Sequence, residues 1–265
     1  RIQPANRKYA VARSGYLHPL MGPGGAVLTS DWPVDHPHHR GVYWAWPEVE
    51  VGLERGDLHA LQRVLSRPTG RVALGEGPGS AVMRAENLWT WEDGTAVVRE
   101  TVRIRVHAGV EAGRAVDLDL RFEPLVAGVT LARRETRLYG GLNLRMATPR
   151  EQAIVVHTDP EGSVRRRAWS DLSGVYEGAG ACGLLVLQHR DNPEYPGEWV
   201  QYPELSWCQP TFPSSGSRFA LRRGEVLRLR YRLWVHGGRY PGDVRAAALW
   251  DDFHSKPNPE EDHEH

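Results

Sequence analysis

Three histidines fall within four positions in the run Asp35-His36-Pro37-His38-His39-Arg40-Gly41. Histidine both gives and takes a proton near neutral pH, and it is the commonest protein ligand for transition metals. The run therefore offers two chemistries, acid/base transfer and metal coordination. Pro33 and Pro37 keep it out of a central strand, because proline lacks the N–H that a ladder requires. An ordered loop is expected, feeding a strand over Val42-Tyr43-Trp44-Ala45-Trp46. If the loop is extended, His36 and His38 share a face and His39 opposes them. A solvated or purely structural cluster is the plain alternative, but imidazoles beside Arg40 on a proline-stiffened loop favour a site.

Three further polar clusters lie in the second half: Arg145 after Tyr139-Gly140-Gly141-Leu142, Trp169-Ser170-Asp171-Leu172-Ser173-Gly174, and Gln188-His189-Arg190-Asp191-Asn192-Pro193. Each reads as a strand end, where loops on a rigid sheet carry function. The candidate catalytic set is His36, His38, His39, Arg40, Arg145 and His189. Its imidazoles would move protons, and its guanidiniums would hold a carbonyl or carboxylate oxygen. The spacing HxHH matches no standard zinc signature, so no cofactor is certain. A divalent metal is possible, held by His36, His38 and His189, with Glu177 as a further candidate if the fold joins them.

Ten tryptophans are many for 265 residues. Trp32, Trp44, Trp46, Trp169, Trp199 and Trp207 fall near polar or turn residues, and an indole stacks well on the C–H face of a sugar ring. Core packing accounts for about half of them. Trp44, Trp46, Trp169, Asp171 and Asn192 form the candidate substrate-binding set. The motifs GxSxG and HExxH, the P-loop and the dinucleotide fingerprint are all missing, which argues against nucleotide hydrolysis and hydride transfer by this chain.

The elements that position these residues read as strands. Val102, Ile104 and Val106 alternate with Arg103, Arg105 and His107. The same alternation recurs at Val116 to Phe122 and at Leu227 to Val235. Further strands are expected over 80–91, 136–146, 153–158, 163–170, 181–189, 198–202 and 217–221, with turns at Glu92-Asp93-Gly94, Asp159-Pro160-Glu161-Gly162 and Arg222-Arg223-Gly224-Glu225. So many strands predict an all-β fold, a large antiparallel two-sheet sandwich. One helix is expected over Asp243 to His254, with Asp243 as its N-cap, packed across one end. Leu58 to Leu65 is ambiguous between helix and strand. Residues 1–254 read as one domain and 255–265 as a disordered polar tail.

Lys+Arg and Asp+Glu are both 33, so no net charge draws the chain to nucleic acid or an anionic membrane. No apolar stretch reaches the length of a membrane helix. The expectation is a soluble, cytoplasmic rather than secreted protein, with a removed leader left open because the chain starts at Arg1. Cys182 and Cys208 lack CxxC spacing and imply neither a disulfide framework nor a zinc knuckle. The oligomeric state is open.

Five segments together resemble the ordered motif set of the bacterial PmoA-like domain family, from about residue 9 to 253. They are His18-Pro19-Leu20-Met21-Gly22-Pro23-Gly24-Gly25, Asp35 through Trp46, Tyr139 through Arg145, Trp169 through Gly174, and His189 through Pro193. The resemblance implies a strand content similar to the galactose-mutarotase-like supersandwich and a setting among carbohydrate-processing enzymes. The chain departs from the pattern at Gln188, where an acidic residue often precedes the histidine. The expectation is thus an enzyme acting on a sugar or keto sugar by histidine-centred acid/base chemistry, with metal assistance left open, such as β-elimination, hydrolysis or epimerisation. A non-catalytic carbohydrate-binding domain and a metal-binding protein are the alternatives.

Overall fold

Period-two alternation gives each strand one apolar face, and an apolar face is stable only against a second layer. The computed structural model describes residues 13–110, 113–158 and 168–255. In chain order the first strands are β1 (Tyr16–Leu17), β2 (Val42–Ala45), β3 (Glu48–Val51), β4 (Glu54–Gly56), β5 (Val64–Gly77) and β6 (Ser80–Trp91). β7 (Ala96–His107), β8 (Gly113–Pro124), β9 (Val129–Ala132), β10 (Gly141–Leu144), β11 (Arg150–Thr158) and β12 (Ala168–Tyr176) follow. The chain continues through β13 (Gly180–Gln188), β14 (Trp199–Tyr202), β15 (Trp207–Pro210), β16 (Phe219–Leu221) and β17 (Leu227–Gly237) to helix α1 (Asp243–Ser255).

Eight strands form one antiparallel sheet in the order β11-β12-β13-β17-β8-β7-β6-β5. The facing layer is assembled from β1-β2-β10, β16-β9-β3-β4 and β14-β15. Bridges Gly141 to Thr211 and Arg145 to Trp207 tie β10 to the β15 segment. The fold is therefore the expected all-β sandwich with one C-terminal helix. Ile104, Leu118, Leu120, Phe122, Leu229 and Leu233 of the large sheet meet Val42, Trp46, Val49, Leu131 and Leu142 of the facing layer. Each fully buried side chain of this kind contributes about 1.5–3 kcal/mol.

Several expectations change. Helix α1 lies on the outer face of the large sheet, not across one end. Ala246, Leu249 and Trp250 pack there on Ala115, Trp169, Leu185, Leu187 and Trp234. The carbonyl of Gly242 accepts the first helical bond from Ala246 N–H, so Gly242 occupies the N-cap position. Asp243 is the first helical residue, and its carboxylate accepts the Tyr240 hydroxyl at 2.5 Å. Residues 58–63 are neither helix nor strand, since Asp57 and Gln62 close a loop by paired backbone bonds of 2.8 Å. Within 136–146 only Gly141–Leu144 is strand.

The segment Trp169 to Gly174 runs inside β12 rather than at a strand end. Strands β3, β4 and β9 are too short, and β5 too interrupted by Pro68 and Gly70, for their sequence pattern to announce them. The turn at 159–162, part of the strand over 163–170, and the tail from 256 lie outside the described residues. Cys182 and Cys208 are both free thiols, and both are buried. No helix among the described residues is long and apolar enough to cross a membrane.

Candidate functional site

Proline at the second position of a four-residue turn presets its φ. Pro37 does this between His36 and His39, and His39 N–H donates to the His36 carbonyl at 2.9 Å. The loop therefore doubles back instead of extending. His36 and His39 stack, with ring centroids 4.7 Å apart and planes 8° apart, and His38 meets His39 edge-on at 4.5 Å. The expected opposition of His36 and His39 is thus reversed. Gly41 ends the loop at φ 52, and a Cβ there would stand 2.4 Å from the Leu17 carbonyl oxygen, so only glycine fits.

A fourth histidine completes the cluster. His59 sits on the closed 57–62 loop, where the Asp57 carboxylate accepts Ala60 N–H at 2.7 Å and pairs with Arg134. Arg13 donates to the Leu58 and His59 carbonyls at 3.0 and 2.5 Å. The His59 ring lies 5.4 Å from His38 and 5.5 Å from His39, and its Nε2 is 3.0 Å from the Tyr43 hydroxyl. Trp207 forms one wall, edge-on to His39 at 4.2 Å and parallel to His59 at 5.6 Å. Half-buried Tyr139 and Tyr202 flank that indole. One ring nitrogen from each of His38, His39 and His59 falls within 4.8 Å of the others.

Burial sets the charge of these rings. Desolvation, reinforced by Arg13, His36 and Arg134, holds His38 down to about 3. Burial followed by the neighbouring imidazoles and Arg145 pushes His39 far below its ordinary range. His59 falls well below it too, through burial and then His38, Arg13 and Arg134. All three are neutral imidazoles at physiological pH.

The mouth is different. His36 and Asp35 keep 40% and 41% of their side-chain surface exposed, and His36 Nδ1 lies 3.0 Å from Asp35 Oδ2. Arg145 Nη2 donates to both Asp35 oxygens at 3.0 and 2.8 Å. Partial burial pushes the Asp35 carboxyl up, but hydrogen bonds from His36 and Arg145 outweigh it and hold it below its ordinary value. A carboxylate can only accept, so Nδ1 carries the proton of this pair and Nε2 is the nitrogen left to exchange one. Arg145 is anchored as a bridge partner of Trp207 and by its N–H to the Gly41 carbonyl at 2.8 Å.

Other candidates fall elsewhere. Arg40 is buried with its guanidinium 3.5 Å over the Trp32 ring and 2.8 Å from Asp31 Oδ1, which makes it a brace for the loop. Trp44 and Trp46 are core residues. Trp46 packs on Trp89 and Phe122 and donates to the Phe212 carbonyl at 2.8 Å. Trp169 stacks on His157 and donates to Tyr240. Asn192 exchanges two hydrogen bonds with the Arg230 backbone. His189 packs on Phe253 and His254 of α1, so the imagined set of His36, His38 and His189 does not assemble. Glu177 lines a separate cleft of about 580 Å³ with Arg150 and Tyr176.

Asp171, fully buried in β12, bonds His236 Nε2 at 2.7 Å. It holds β12 against β17 across the intervening β13. Asp171→Ala should cost about 2 kcal/mol, because His236 is left buried without its partner. Urea unfolding checks this, and an unchanged midpoint would return Asp171 to the functional candidates.

Sequence reading missed His59, Tyr43, Tyr139 and Asp57. The signal lay in Asp57-Leu58-His59-Ala60, where a carboxylate three residues before a free N–H marks a closed turn that can present a side chain.

No curated protein and no solved structure matches the chain. A family profile matches residues 3–251, which covers both layers of the sandwich and every residue of the histidine site. The chain belongs to the family of unknown function DUF6807.

Proposed function

We infer that the chain is an enzyme acting on a sugar or keto-sugar derivative, with the Asp35–His36 pair as its proton-transfer group. The observation that carries this reading is the arrangement at the rim of the cluster: an oriented, half-exposed imidazole beside an arginine and next to the buried histidines and Trp207. A carboxylate on Nδ1 fixes the tautomer and supports the imidazolium that forms when Nε2 takes a proton. Tyr139 and Tyr202 supply flat apolar faces suited to a sugar ring, taking the role expected of Trp44 and Trp46. Arg145 Nη1 is buried without a hydrogen-bond partner beside the Asp35–His36 pair, and would donate to a substrate oxygen that displaces the cover over it.

In a keto sugar the carbonyl acidifies the adjacent C–H. His36 Nε2 would take that proton, and the electron pair would move onto the carbonyl oxygen as an enolate. Expulsion of the β-oxygen, which leaves as an alcohol after protonation, gives elimination; return of the proton to the other face gives epimerisation. The PmoA-like resemblance points to the same substrate class.

The test is turnover of mono- and disaccharides and their keto derivatives, followed by product analysis. His36→Ala and Asp35→Asn should each lower kcat by roughly 100-fold or more with the fold intact. Sugar binding without any product would identify a carbohydrate-binding domain instead. Full turnover by the His36→Ala protein would remove the pair from the mechanism.

A further inference from the structure

We propose that His38, His39 and His59 bind one divalent transition-metal ion of the zinc class, leaving a coordination position open for water or a substrate oxygen. The three ring nitrogens within 4.8 Å come from two loops about twenty residues apart, each closed by its own hydrogen bonds. Nitrogens around one tetrahedral ion stand roughly 3.4 Å apart at the usual metal–nitrogen length, so side-chain shifts of about an ångström bring the trio onto it. An imidazole-only set suits zinc, copper, iron and nickel rather than magnesium or calcium. Three protein ligands with a vacant position is the pattern of catalytic rather than structural zinc.

Three further observations agree. A metal takes the lone pair of an imidazole, and all three rings are buried with one nitrogen of each turned toward the others. Ligating histidines are usually oriented through their second nitrogen or by neighbouring groups, and here the Tyr43 hydroxyl fixes His59 while Trp207 walls both loops. His39 Nδ1 is buried without a hydrogen-bond partner, an expensive condition for a ring that serves packing alone. Three cations stand nearby and would repel an ion. Each is offset: Arg134 by Asp57, Arg145 by Asp35, and Arg13 by two peptide carbonyls and the Tyr43 ring.

An ion at this position would polarise a substrate carbonyl beside the His36 mouth. Metal binding does not depend on the sugar reading, and the two can fail separately. The experiment strips the full chain with a chelator and titrates it with Co²⁺ and then Zn²⁺. One equivalent of Co²⁺ should bind with the visible absorption of low-coordinate cobalt, and Zn²⁺ should displace it. His39→Gln and His59→Gln should weaken binding by more than the roughly 10–100-fold typical of losing an outer partner. His189→Gln and a His263→Gln/His265→Gln double variant should bind as before. If a trio variant does not fold, paramagnetically shifted ring protons from three histidines in wild-type Co²⁺ protein give the same answer. No stoichiometric uptake, uptake undiminished in folded trio variants, or loss on changing the terminal histidines would overturn the proposal. Sugar turnover by the chelated protein would then stand on the Asp35–His36 pair alone.

Discussion

Lowering the pH of the chelator-treated protein from 7 to 5 is expected to remove several kcal/mol of folding stability. His38 and His189 are each held down to about 3, mainly by burial. In the unfolded chain such rings titrate near 6.5. As pH falls through that value the unfolded state takes up protons that the native state refuses. Stability is therefore complete above about pH 6.5 and is lost progressively until the native values are reached. At pH 5 the loss is on the order of 2 kcal/mol for each ring. His39 and His59 act in the same direction. Urea midpoints at several pH values measure it, and a profile flat between pH 7 and 5 would show that these rings are not held neutral. His189→Asn should flatten the slope by about one proton, since this ring lies apart from the trio.

This charge state also bears on mechanism. A ring that stays neutral to about pH 3 is a poor donor near neutrality, so His38 and His39 are better suited to hold an ion than to shuttle protons. His36, half exposed and backed by Asp35, is the member of the original cluster placed for proton transfer. The division follows from one turn. Pro37 and the His36–His39 bond leave His36 at the rim and send the next two rings inward.

The layer architecture was legible because alternation in β7, β8 and β17 reflects a direct cause, one face toward the core and one away. The strands that escaped notice are short, as β3, β4 and β9 are, or broken in pattern, as β5 is by Pro68, Gly70, Gly75 and Gly77 along a mostly exposed length. In β12, Trp169, Ser170, Asp171, Leu172 and Ser173 are all buried, and Ser170 and Asp171 meet Cys208 and His236 of other strands instead of marking a loop. The site was half legible. His36, His38, His39 and Arg145 carried their chemistry in residue type, whereas Asp35 drew no role until Arg145 was seen to reach it across 110 positions. His59 arrived by loop closure: Asp57 marks the turn locally, but its docking beside the other rings depends on Arg13 and Arg134, at distances in sequence that no local pattern encodes. Trp44 and Trp46 misled for the converse reason. An indole wants both an apolar bed and one N–H partner, and the core supplies both, as the bond from Trp46 to the Phe212 carbonyl illustrates.

Arg40→Ala should lower stability by about 3 kcal/mol or more, the loss expected when one member of a buried ion pair is removed. The guanidinium is almost fully buried between the Trp32 and Tyr16 rings, and its Nη1 reaches Asp31 at 2.8 Å. Asp31 and Arg40 are also backbone partners across the neck of the histidine loop, so the side chains clamp the same junction the main chain closes. Without Arg40 the Asp31 carboxylate loses its cation and Trp32 loses the plane that covers it. Arg40→Lys keeps the charge but not the flat, weakly hydrated surface that stacks on indole, so about half of that loss is expected. Urea unfolding of the three proteins measures the order wild type, Lys, Ala. Turnover distinguishes this brace from a substrate contact. If Arg40 only clamps the loop, the folded Arg40→Lys protein retains far more kcat than His36→Ala does. A variant with an unchanged urea midpoint and a collapsed kcat would instead return Arg40 to the chemistry, where its residue type first suggested it belonged.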